Sequence, residues 1–465
     1  MRAPKRALDL FAIALVVAIA FFVVPAVTDS GQQAAADAPF QLIYYDGHMH
    51  TTRSDGSGSV EDIKATAQAR GLSAVIITDH CEDLTLAEWQ SLVAETAVVS
   101  DGTFLALPGF EITGNEGAFL RSHMNAFNAP DPFVGEDELE LCPEEVWPDD
   151  PNPYGTGPGV ENVKKWVDYI HSQGGIINHN HPSGDTRLEY GANNVEIYNQ
   201  GHVDDLTAYA LGLGIPPADA WGFGISINNF AIYGETSPAP FKSLNELVSF
   251  PGIPFQVSLR WALWMATQII APPVGQIVGW GSFNPANPQS PGNGDLNSWD
   301  ELLMAYVNGE VDHPTFGVAN SDAHNTADIV NSKVGSAKNG ILVEKLNAKE
   351  VYKAIKEGRS FATNGPSLAF DVNGEQMGGI AKIYSGQSAR LSLKANAETP
   401  GYVVAKIDVY KNGQLLTTIP VGSSSYRSTL KDTVTEDGYY RIEVTSLGPG
   451  LPQFAYSNPV FVKAK

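Results

Sequence analysis

Imidazole and carboxylate side chains recur at the ends of short apolar runs along the chain. Seven of the ten histidines take part, and the polar groups occur in this order: Asp46, His48-Met49-His50, Asp55, Thr78-Asp79-His80, Glu111, His123, Asn178-His179-Asn180-His181, Glu196 and Ser321-Asp322-Ala323-His324. Side chains point alternately to opposite sides of an extended segment. His48 and His50 are two residues apart, so both imidazoles lie on the same side and can reach one ion. Mixed imidazole and carboxylate ligands suit Zn, Mn or Fe. The sequence therefore predicts a metal centre.

These groups outnumber the ligands that one metal ion can bind. Two or three bridged ions would use them, and such clusters hold the attacking and leaving oxygens of a hydrolysis. The ions also lower the pKa of bound water toward about 7, so a metal-bound hydroxide can attack without a separate strong base. The pattern favours a metal-dependent hydrolase. We predict structural or surface roles for the other three histidines, His171, His202 and His313.

Seven apolar runs would carry these side chains, and helical patterns lie between them. The runs are residues 42–46, 74–79, 104–111, 123–127, 175–180, 195–199 and 316–322, and the clearest helical patterns are 60–70, 86–99, 160–173 and 299–307. Continuous apolar strands that alternate with helices are typical of a parallel sheet or barrel. The active site of such a barrel lies at the carboxyl ends of its strands. We therefore expect an α/β fold whose strand ends meet at the metal centre.

The remaining segments divide the chain into predicted domains. Residues 1–38 have a basic start and an apolar stretch, which is typical of a signal peptide, either cleaved or retained as an anchor. Residues 39–365 form the predicted hydrolase domain. Its aromatic insertion at about 201–298 is interpreted as a lid or pocket wall, with membrane contact as the alternative. Residues 366–465 contain no histidine and predict a small antiparallel β-sandwich without a catalytic role.

Charge and cysteine content restrict the partners and the compartment. The formal charge of −23 argues against nucleic acid, because binding to a phosphate backbone needs a basic stripe. The acidic tract at 131–150 predicts a solvated loop rather than a calcium site. Cys81 and Cys142 could form a disulfide bond, but we favour unpaired thiols. We expect an exported protein (periplasmic, extracellular or on the cell surface) that meets a membrane only through an uncleaved N-terminal segment.

The ordered motifs resemble those of the PHP (polymerase and histidinol phosphatase) superfamily over roughly residues 42–365, without the insertion. The resemblance implies a distorted seven-stranded (β/α) barrel, a centre of two or three divalent ions (Zn, Mn or Fe) and hydrolysis of phosphoesters. It implies catalytic roles for Glu111, which would bridge two ions, and for Asp322 and His181. Carried over position by position, the implied metal ligands are His48, His50, Asp55, His80, Glu111, His123, His181, Asp322 and His324.

The segment 195–199 and the β-rich tail narrow the resemblance to the branch that contains carbaryl-type carbamate and ester hydrolases. Arg53 and Arg121 are the predicted substrate-binding cations, since guanidinium groups clamp phosphate oxygens. The leading hypothesis is a phosphoesterase that acts on a small-molecule substrate. The first alternative is a carboxyl-ester, carbamate or amide hydrolase on the same metal centre. The second is an exported binding protein without catalysis.

Overall fold

Strands and helices alternate in the first part of the chain. The computed structural model describes residues 40–115, 121–129, 159–180, 191–201, 203–204, 207, 211, 299–325 and 333–465. The strands of this part are β1 (Gln41–Asp46), β2 (Ala74–Ile77), β3 (Leu105–Asn115), β4 (Arg121–Phe127), β5 (Ile176–His179), β6 (Asn194–Asn199), β7 (Phe316–Asn320), β8 (Lys338–Val343) and β9 (Ser360–Thr363). The helices are α1 (Val60–Ala69), α2 (Leu86–Val99), α3 (Gly159–Ser172), α4 (Trp299–Asn308) and α5 (Ala348–Lys356). The seven predicted strands and four predicted helices are all present.

The sheet that carries the predicted site is mixed rather than parallel throughout. Strands β1, β2 and β3 are parallel neighbours, as are β5, β6 and β7. Strand β4 lies between the two groups and is antiparallel to both β3 and β5. The expectation of parallel strands is therefore wrong at β4. Only residues 116–120 separate β3 from β4, and a parallel crossover needs about a dozen residues or more.

The segments that follow β1 and β7 approach each other at the carboxyl ends of the strands. Met49 and Ala323 form an isolated parallel bridge, and the amide of His50 donates to the carbonyl of Ala323 at 2.9 Å. The opposite edge of β1 pairs with β8 in antiparallel fashion. The described residues thus bring the first and last strand ends together through one bridge. Closure into a distorted seven-stranded barrel stays a prediction.

Two helices that cover this sheet begin at capping boxes. The Ser59 hydroxyl accepts from the Asp62 amide, and the Asp62 carboxylate accepts from the Ser59 amide in return. Thr85 and Glu88 make the same reciprocal pair at the start of α2. These bonds satisfy amides that no helix carbonyl can reach. The buried faces of α1, α2 and α3 pack with β2 and β3 into one apolar cluster that supports the sheet beneath the site.

The C-terminal part consists of two facing sheets. Its strands are β10 (Ser367–Val372), β11 (Glu375–Gln376), β12 (Ile380–Ile383), β13 (Ser388–Asn396), β14 (Val403–Lys411), β15 (Gln414–Ser423), β16 (Ser425–Thr433), β17 (Gly438–Leu447), β18 (Gln453–Ser457) and β19 (Val460–Ala464). One sheet has the order β11-β10-β13-β16, and the others extend the N-terminal sheet. Apolar side chains of both sheets share one buried cluster, as in a sandwich. Strand β12 pairs with β19 in parallel, which departs from the predicted antiparallel pattern.

The predicted boundary at 365/366 is crossed by regular pairing. Strand β9 pairs with β18 in antiparallel fashion, with Ala362 opposite Tyr456. The side chain of Asn458 accepts from the Gly317 amide at 2.7 Å and donates to the Gly317 carbonyl at 3.1 Å, which fastens β7. Residues Phe40–Lys465 form one compact unit. The division into a hydrolase domain and a sandwich domain stays a prediction.

A buried ion cluster joins the C-terminal sheet to α4. The Arg441 side chain is fully buried, and its Nε and Nη2 donate to the Asp300 carboxylate at 2.8 and 2.6 Å. Its Nη1 donates to Glu443 at 2.5 Å, and the Tyr439 hydroxyl donates to Asp300 at 2.7 Å. A buried guanidinium is tolerated when carboxylates and hydrogen bonds surround it. The cluster therefore holds α4, the helix that precedes β7, against β17.

Several predicted segments lie outside the described residues. They are the N-terminal segment 1–38, the acidic tract 131–150, His202 and nearly all of the insertion 201–298. Within the described ranges, none of the helices is both long enough and apolar enough to cross a membrane.

Candidate metal centre

The carboxyl ends of the strands gather histidines and carboxylates into two overlapping groups. In each group, one nitrogen or oxygen atom per residue lies within 4.8 Å of the others, an arrangement that could hold a metal ion. The buried group is His48, His50 and Glu111, and the more exposed group is His50, Asp55, His80 and His324. His50 belongs to both. The two groups therefore form one continuous cluster at the end of the sheet.

The buried group surrounds a narrow space lined by nitrogen and carboxylate oxygen atoms. Nε2 of His48 lies 2.9 Å from Oε2 of Glu111 and 3.2 Å from Oδ1 of Asp322. Nε2 of His50 faces the same two oxygens at 3.3 and 3.4 Å. Both carboxylates therefore point at both imidazoles. Residues of β3 and of the segments after β1 and β7 contribute to one site.

The exposed group is centred on Asp55. Its carboxylate oxygens lie 3.5 Å from Nδ1 of His50, 3.8 Å from Nε2 of His80 and 3.2 Å from Nε2 of His324. The His50 ring stacks between those of His80 and His324, with centroid distances of 4.6 and 4.2 Å. The side chains of Asp55 and His324 are 50% and 41% exposed. This edge of the cluster is therefore open to solvent.

Glu111 occupies the middle of the cluster. One oxygen, Oε2, faces His48 and His50, and lies 3.8 Å from Nδ1 of His80. The other, Oε1, lies 2.9 Å from Nδ1 of His123 and accepts a hydrogen bond from Asn180 Nδ2 at 2.8 Å. An isolated parallel bridge between His80 and Glu111 fixes the two chain segments side by side. This position suits a carboxylate that bridges two ions, and that role stays a prediction.

The protonation of these groups reflects their mutual contacts. Burial alone would lower the pKa of His50, but the Asp322 and Glu111 carboxylates raise it to about 10. Burial opposes ionisation of Glu111, yet the His48, His80 and His123 imidazoles hold its pKa well below the ordinary range. Protons and metal ions compete for the same imidazole lone pairs. Without metal, the site therefore favours imidazolium groups beside carboxylates.

The donor set fits a divalent ion. His50 is buried, and neither of its ring nitrogens has a hydrogen-bond partner among the described residues. Carboxylate oxygens face these nitrogens at 3.3–3.5 Å instead. Buried polar atoms without hydrogen bonds are costly in a folded protein. A cation held by both imidazole and carboxylate atoms would offset that cost, and mixed N and O donors suit Zn, Mn or Fe.

Two further carboxylates fasten the segments that carry the cluster. Asp79 accepts from the Thr51 amide at 2.6 Å and from the Thr51 and Ser54 hydroxyls at 2.8 and 2.9 Å. Asp46 accepts from the Ser321 amide at 3.1 Å and from the Gly335 amide at 2.7 Å. Burial raises the pKa of Asp46 to about 6 despite these bonds. Asp79 thus ties the His50–Asp55 segment to the end of β2, and Asp46 ties β1 to the end of β7.

Asp322 has an unusual backbone conformation. Its φ is 53°, in the left-handed region that non-glycine residues seldom adopt. Gly201 packs against it, because a Cβ atom at Gly201 would stand 3.0 Å from the Asp322 Cβ and 3.2 Å from its Oδ2. The Gly201 amide also donates to the Ser321 carbonyl at 3.0 Å. A glycine at 201 therefore allows the strained aspartate to sit beside β6.

The structure brings eight of the nine predicted ligands together. They are His48, His50, Asp55, His80, Glu111, His123, Asp322 and His324. The ninth, His181, and the side chain of Arg121 lie outside the described part of the chain. Arg53 is directed to α2, where its Nη2 donates to Glu95 at 2.5 Å. The ligand roles and the substrate-binding role of the two arginines stay predictions.

Other predictions about single residues have clear outcomes. Cys81 is disulfide-bonded, so the expectation of unpaired thiols is wrong; Cys142 lies outside the described residues. Nε2 of His171 donates to Oδ1 of Asn193 at 2.8 Å. Glu196 belongs to the series of polar groups in the sequence but not to the nine implied ligands, and its Oε1 lies 2.9 Å from Nδ1 of His48.

Part of the chain matches a known domain family. Residues 46–110 match the PHP domain family, so a PHP domain is present. No curated protein is significantly similar to the chain. A two-domain protein from Bacteroides vulgatus that contains a predicted PHP-like metal-dependent phosphoesterase is 11% identical, with 91% of this chain and 95% of that chain covered and a TM-score of 0.36.

Two other solved structures each cover a smaller share of the chain. A proposed metal-dependent phosphoesterase from Bifidobacterium adolescentis is 16% identical and covers 39% of this chain and 88% of its own, with a TM-score of 0.23. The CARDB domain of a Pyrococcus furiosus protein is 20% identical and covers 22% of this chain and 98% of its own, with a TM-score of 0.17. Likeness at this level carries no argument about activity.

Proposed function

We propose that the chain is an exported metal-dependent hydrolase that cleaves small-molecule phosphoesters at a centre of two or three divalent ions. The observation that carries the proposal is the convergence of two overlapping groups of metal-ligand side chains on His50. The PHP domain at residues 46–110 supports the same reading, because the resemblance implies phosphoester hydrolysis. We infer Zn, Mn or Fe from the mixture of imidazole and carboxylate donors.

The buried and the exposed residues of the cluster would each hold part of the metal centre. Divalent ions, when bound, supply Lewis acidity and lower the pKa of coordinated water. His48, His50 and Glu111 would hold them at the buried side, and Asp55, His80 and His324 at the exposed side. We assign Glu111 the bridging position, and Asp322 and His181 the remaining catalytic roles. Substrate would approach over Asp55 and His324, because their side chains form the solvent-exposed edge.

Removal of one ligand tests the metal centre directly. We expect His48→Ala and Asp322→Ala to lose bound metal and activity while keeping a circular dichroism spectrum like that of the wild type. Both side chains face the same buried space, where Nε2 and Oδ1 are 3.2 Å apart. Metal content by elemental analysis and turnover of p-nitrophenyl phosphates provide the readouts. Wild-type turnover by Asp322→Ala would contradict the ligand assignment.

A second candidate function is supported by the position of Arg53. Its guanidinium pairs with Glu95 and donates to Ser91 as well, so it does not point freely toward a phosphate. That contact favours hydrolysis of a carboxyl ester, carbamate or amide at the same centre. A panel of bis- and mono-p-nitrophenyl phosphate, p-nitrophenyl acetate and an aryl carbamate separates the readings. Turnover of phosphates alone supports the first proposal, and turnover of acetate or carbamate alone supports the second.

Absence of turnover by metal-loaded protein would favour the third hypothesis, an exported binding protein without catalysis.

We propose that the protein is exported, because segment 1–38 resembles a signal peptide. The disulfide bond of Cys81 supports export, since disulfides persist in oxidising compartments. Fractionation of producing cells, with N-terminal sequencing of the mature protein, tests this point and separates a cleaved signal from an anchor. Accumulation in the cytoplasm would contradict it.

A further inference from the structure

Glu196 is a buried carboxylate in β6 that stands behind the cluster rather than in it. Its Oε1 lies 2.9 Å from Nδ1 of His48. The opposite ring nitrogen, Nε2, faces Glu111 and Asp322 at 2.9 and 3.2 Å. The His48 imidazole is therefore held between a carboxylate on one side and the candidate metal site on the other. The two ring nitrogens therefore have different partners.

Three amide side chains hold Glu196 in this orientation. Oε1 accepts from Asn320 Nδ2 at 2.8 Å and from Asn178 Nδ2 at 3.3 Å. Oε2 accepts from Asn199 Nδ2 at 2.7 Å. These donors come from β7, β5 and the end of β6, so three neighbouring strands fix the carboxylate. Donors of this kind stabilise the charged form, in which the oxygens can only accept.

An acceptor at Nδ1 decides which nitrogen of His48 remains available. A neutral imidazole carries one N–H, and a carboxylate at Nδ1 keeps the proton on that atom. The lone pair then lies on Nε2, which faces Glu111 and Asp322. A carboxylate of this kind fixes the tautomer and the ring orientation of a metal-binding histidine and makes it a better donor.

We propose that Glu196 is a positioning residue that holds His48 in the Nδ1–H form, so that Nε2 is presented to the metal site. The inference rests on the proposed metal centre, but it does not depend on which ester the protein cleaves. The competing explanation is that Glu196 serves only the three asparagines and the stability of the sheet. The two explanations differ in what they predict for metal affinity and for the protonation of His48.

The first experiment compares Glu196→Gln with Glu443→Gln in the full-length protein. Glu443 is another buried carboxylate, and it accepts a hydrogen bond from Arg441. Both residues belong to β17, which contributes no side chain to the two candidate metal groups. We expect Glu196→Gln to weaken Zn²⁺ affinity by about 10- to 100-fold in a competition titration with a chromophoric chelator. The visible spectrum of its Co²⁺ form should change as well. Glu443→Gln should lose stability but keep wild-type affinity and spectrum.

The second experiment needs no variant of Glu196 and covers the case in which that variant does not fold. A long-range ¹H–¹⁵N spectrum of the Zn²⁺-loaded wild type reports the tautomer of each imidazole, and the signal absent from His48→Gln identifies His48. We expect a proton on Nδ1 and metal on Nε2. The reverse tautomer would overturn the proposal, as would unchanged Zn²⁺ affinity in a folded Glu196→Gln protein.

Failure of the proposed function has a different signature. If the wild type binds Zn²⁺ but hydrolyses none of the test esters, the hydrolase proposal fails while the affinity and tautomer measurements still judge Glu196. If the wild type binds no divalent ion, both proposals fail together. If Glu196→Gln loses affinity and the tautomer is as expected, the positioning role holds whichever ester is cleaved.

Discussion

Asp322 is held in a left-handed backbone conformation with Gly201 packed directly against it, and this contact makes a sharp test of the site. A Cβ atom at Gly201 would come within 3.0 Å of the Asp322 Cβ. One of the two must then move by a few tenths of an ångström. We expect Gly201→Ala to reduce kcat/KM by about tenfold, because small misplacements of a catalytic group are costly. Initial rates on the best ester of the panel provide the measurement.

Gly102→Ala is the matched control for that substitution. A Cβ atom at Gly102 would have no heavy atom within 4 Å, and that residue is not in the left-handed region. Its rate and its metal content should equal those of the wild type. Equal rates for Gly201→Ala and the control would show that the position of Asp322 does not depend on Gly201.

Metal binding should release protons, because the metal-free site stabilises imidazolium. The pKa of His50 is raised to about 10, so this imidazole is protonated at pH 7 until an ion displaces the proton. Affinity for Zn²⁺ should therefore fall as the pH is lowered, since more protons compete for the same lone pairs. Calorimetric titrations at pH 7 in two buffers with different ionisation enthalpies give the number of protons released.

The His50→Ala protein provides the comparison for proton release. It lacks the imidazole shared by the two groups, so it should release about one proton fewer per protein. Its remaining affinity is also expected to be lower, because both groups lose a donor. Identical heats in the two buffers for the wild type would mean that the imidazoles are already neutral before metal arrives.

At the scale of single residues, the sequence pattern predicted which side chains lie together, whereas their roles as ligands stay predictions. His48, His50, Glu111 and Asp322 stand at strand ends, and alternation of strands with helices indicates that such ends meet. The side chain that each of these residues contacts could not be predicted in the same way. Glu196 contacts His48 across 148 positions of sequence, and nothing in either local segment encodes that distance. Long-range hydrogen bonds depend on the three-dimensional register of strands.

At the scale of elements, the attachment of α4 to β17 depends on one buried side chain, that of Arg441. Arg441 is fully buried and donates twice to Asp300, so its loss leaves a carboxylate without its cation. We expect Arg441→Met to lower the free energy of unfolding by about 3–5 kcal/mol, as for other broken buried pairs. Urea denaturation monitored by tryptophan fluorescence measures this, with the metal removed to keep the reference state constant.

An exposed ion pair provides the control that shows whether burial causes the loss of stability expected for Arg441→Met. Lys463 pairs with Asp437, and the lysine side chain is 63% exposed. Lys463→Met should cost less than about 1 kcal/mol, because solvent screens exposed ion pairs. Similar losses for the two variants would argue that the Arg441 cluster contributes no more than an ordinary surface contact.

Elements were predicted more securely than their directions. Apolar runs and helical patterns depend on the local sequence, so the strands and helices could be placed from the sequence. The antiparallel direction of β4 follows from the short 116–120 connection, a length visible in the sequence but outweighed there by the strand–helix alternation. The parallel pairing of β12 with β19 joins strands about 80 residues apart, and no local signal specifies it.

At the scale of the whole molecule, the C-terminal sheet continues the sheet that carries the candidate metal centre. The alternating runs and turn signals of residues 366–465 predicted a sandwich, and the absence of histidine predicted that it has no catalytic role. The pairing of β9 with β18 and the bonds of Asn458 to Gly317 connect that sandwich to β7. Because Asp322 follows β7 by two residues, support of β7 is also support of the candidate metal centre.

Deletion of residues 366–465 tests whether this connection matters. The deletion removes β18 from the edge of β9 and Arg441 from Asp300, and it exposes the strand edge and a buried carboxylate together. Unpaired strand edges promote aggregation, and the deletion also removes the Arg441 contacts that hold α4. We therefore expect the shortened protein to aggregate, or to bind less metal and unfold at a lower temperature than the full chain. A monomeric 1–365 protein with full metal content, measured by size-exclusion chromatography and elemental analysis, would mean that β7 holds Asp322 without help from the sandwich.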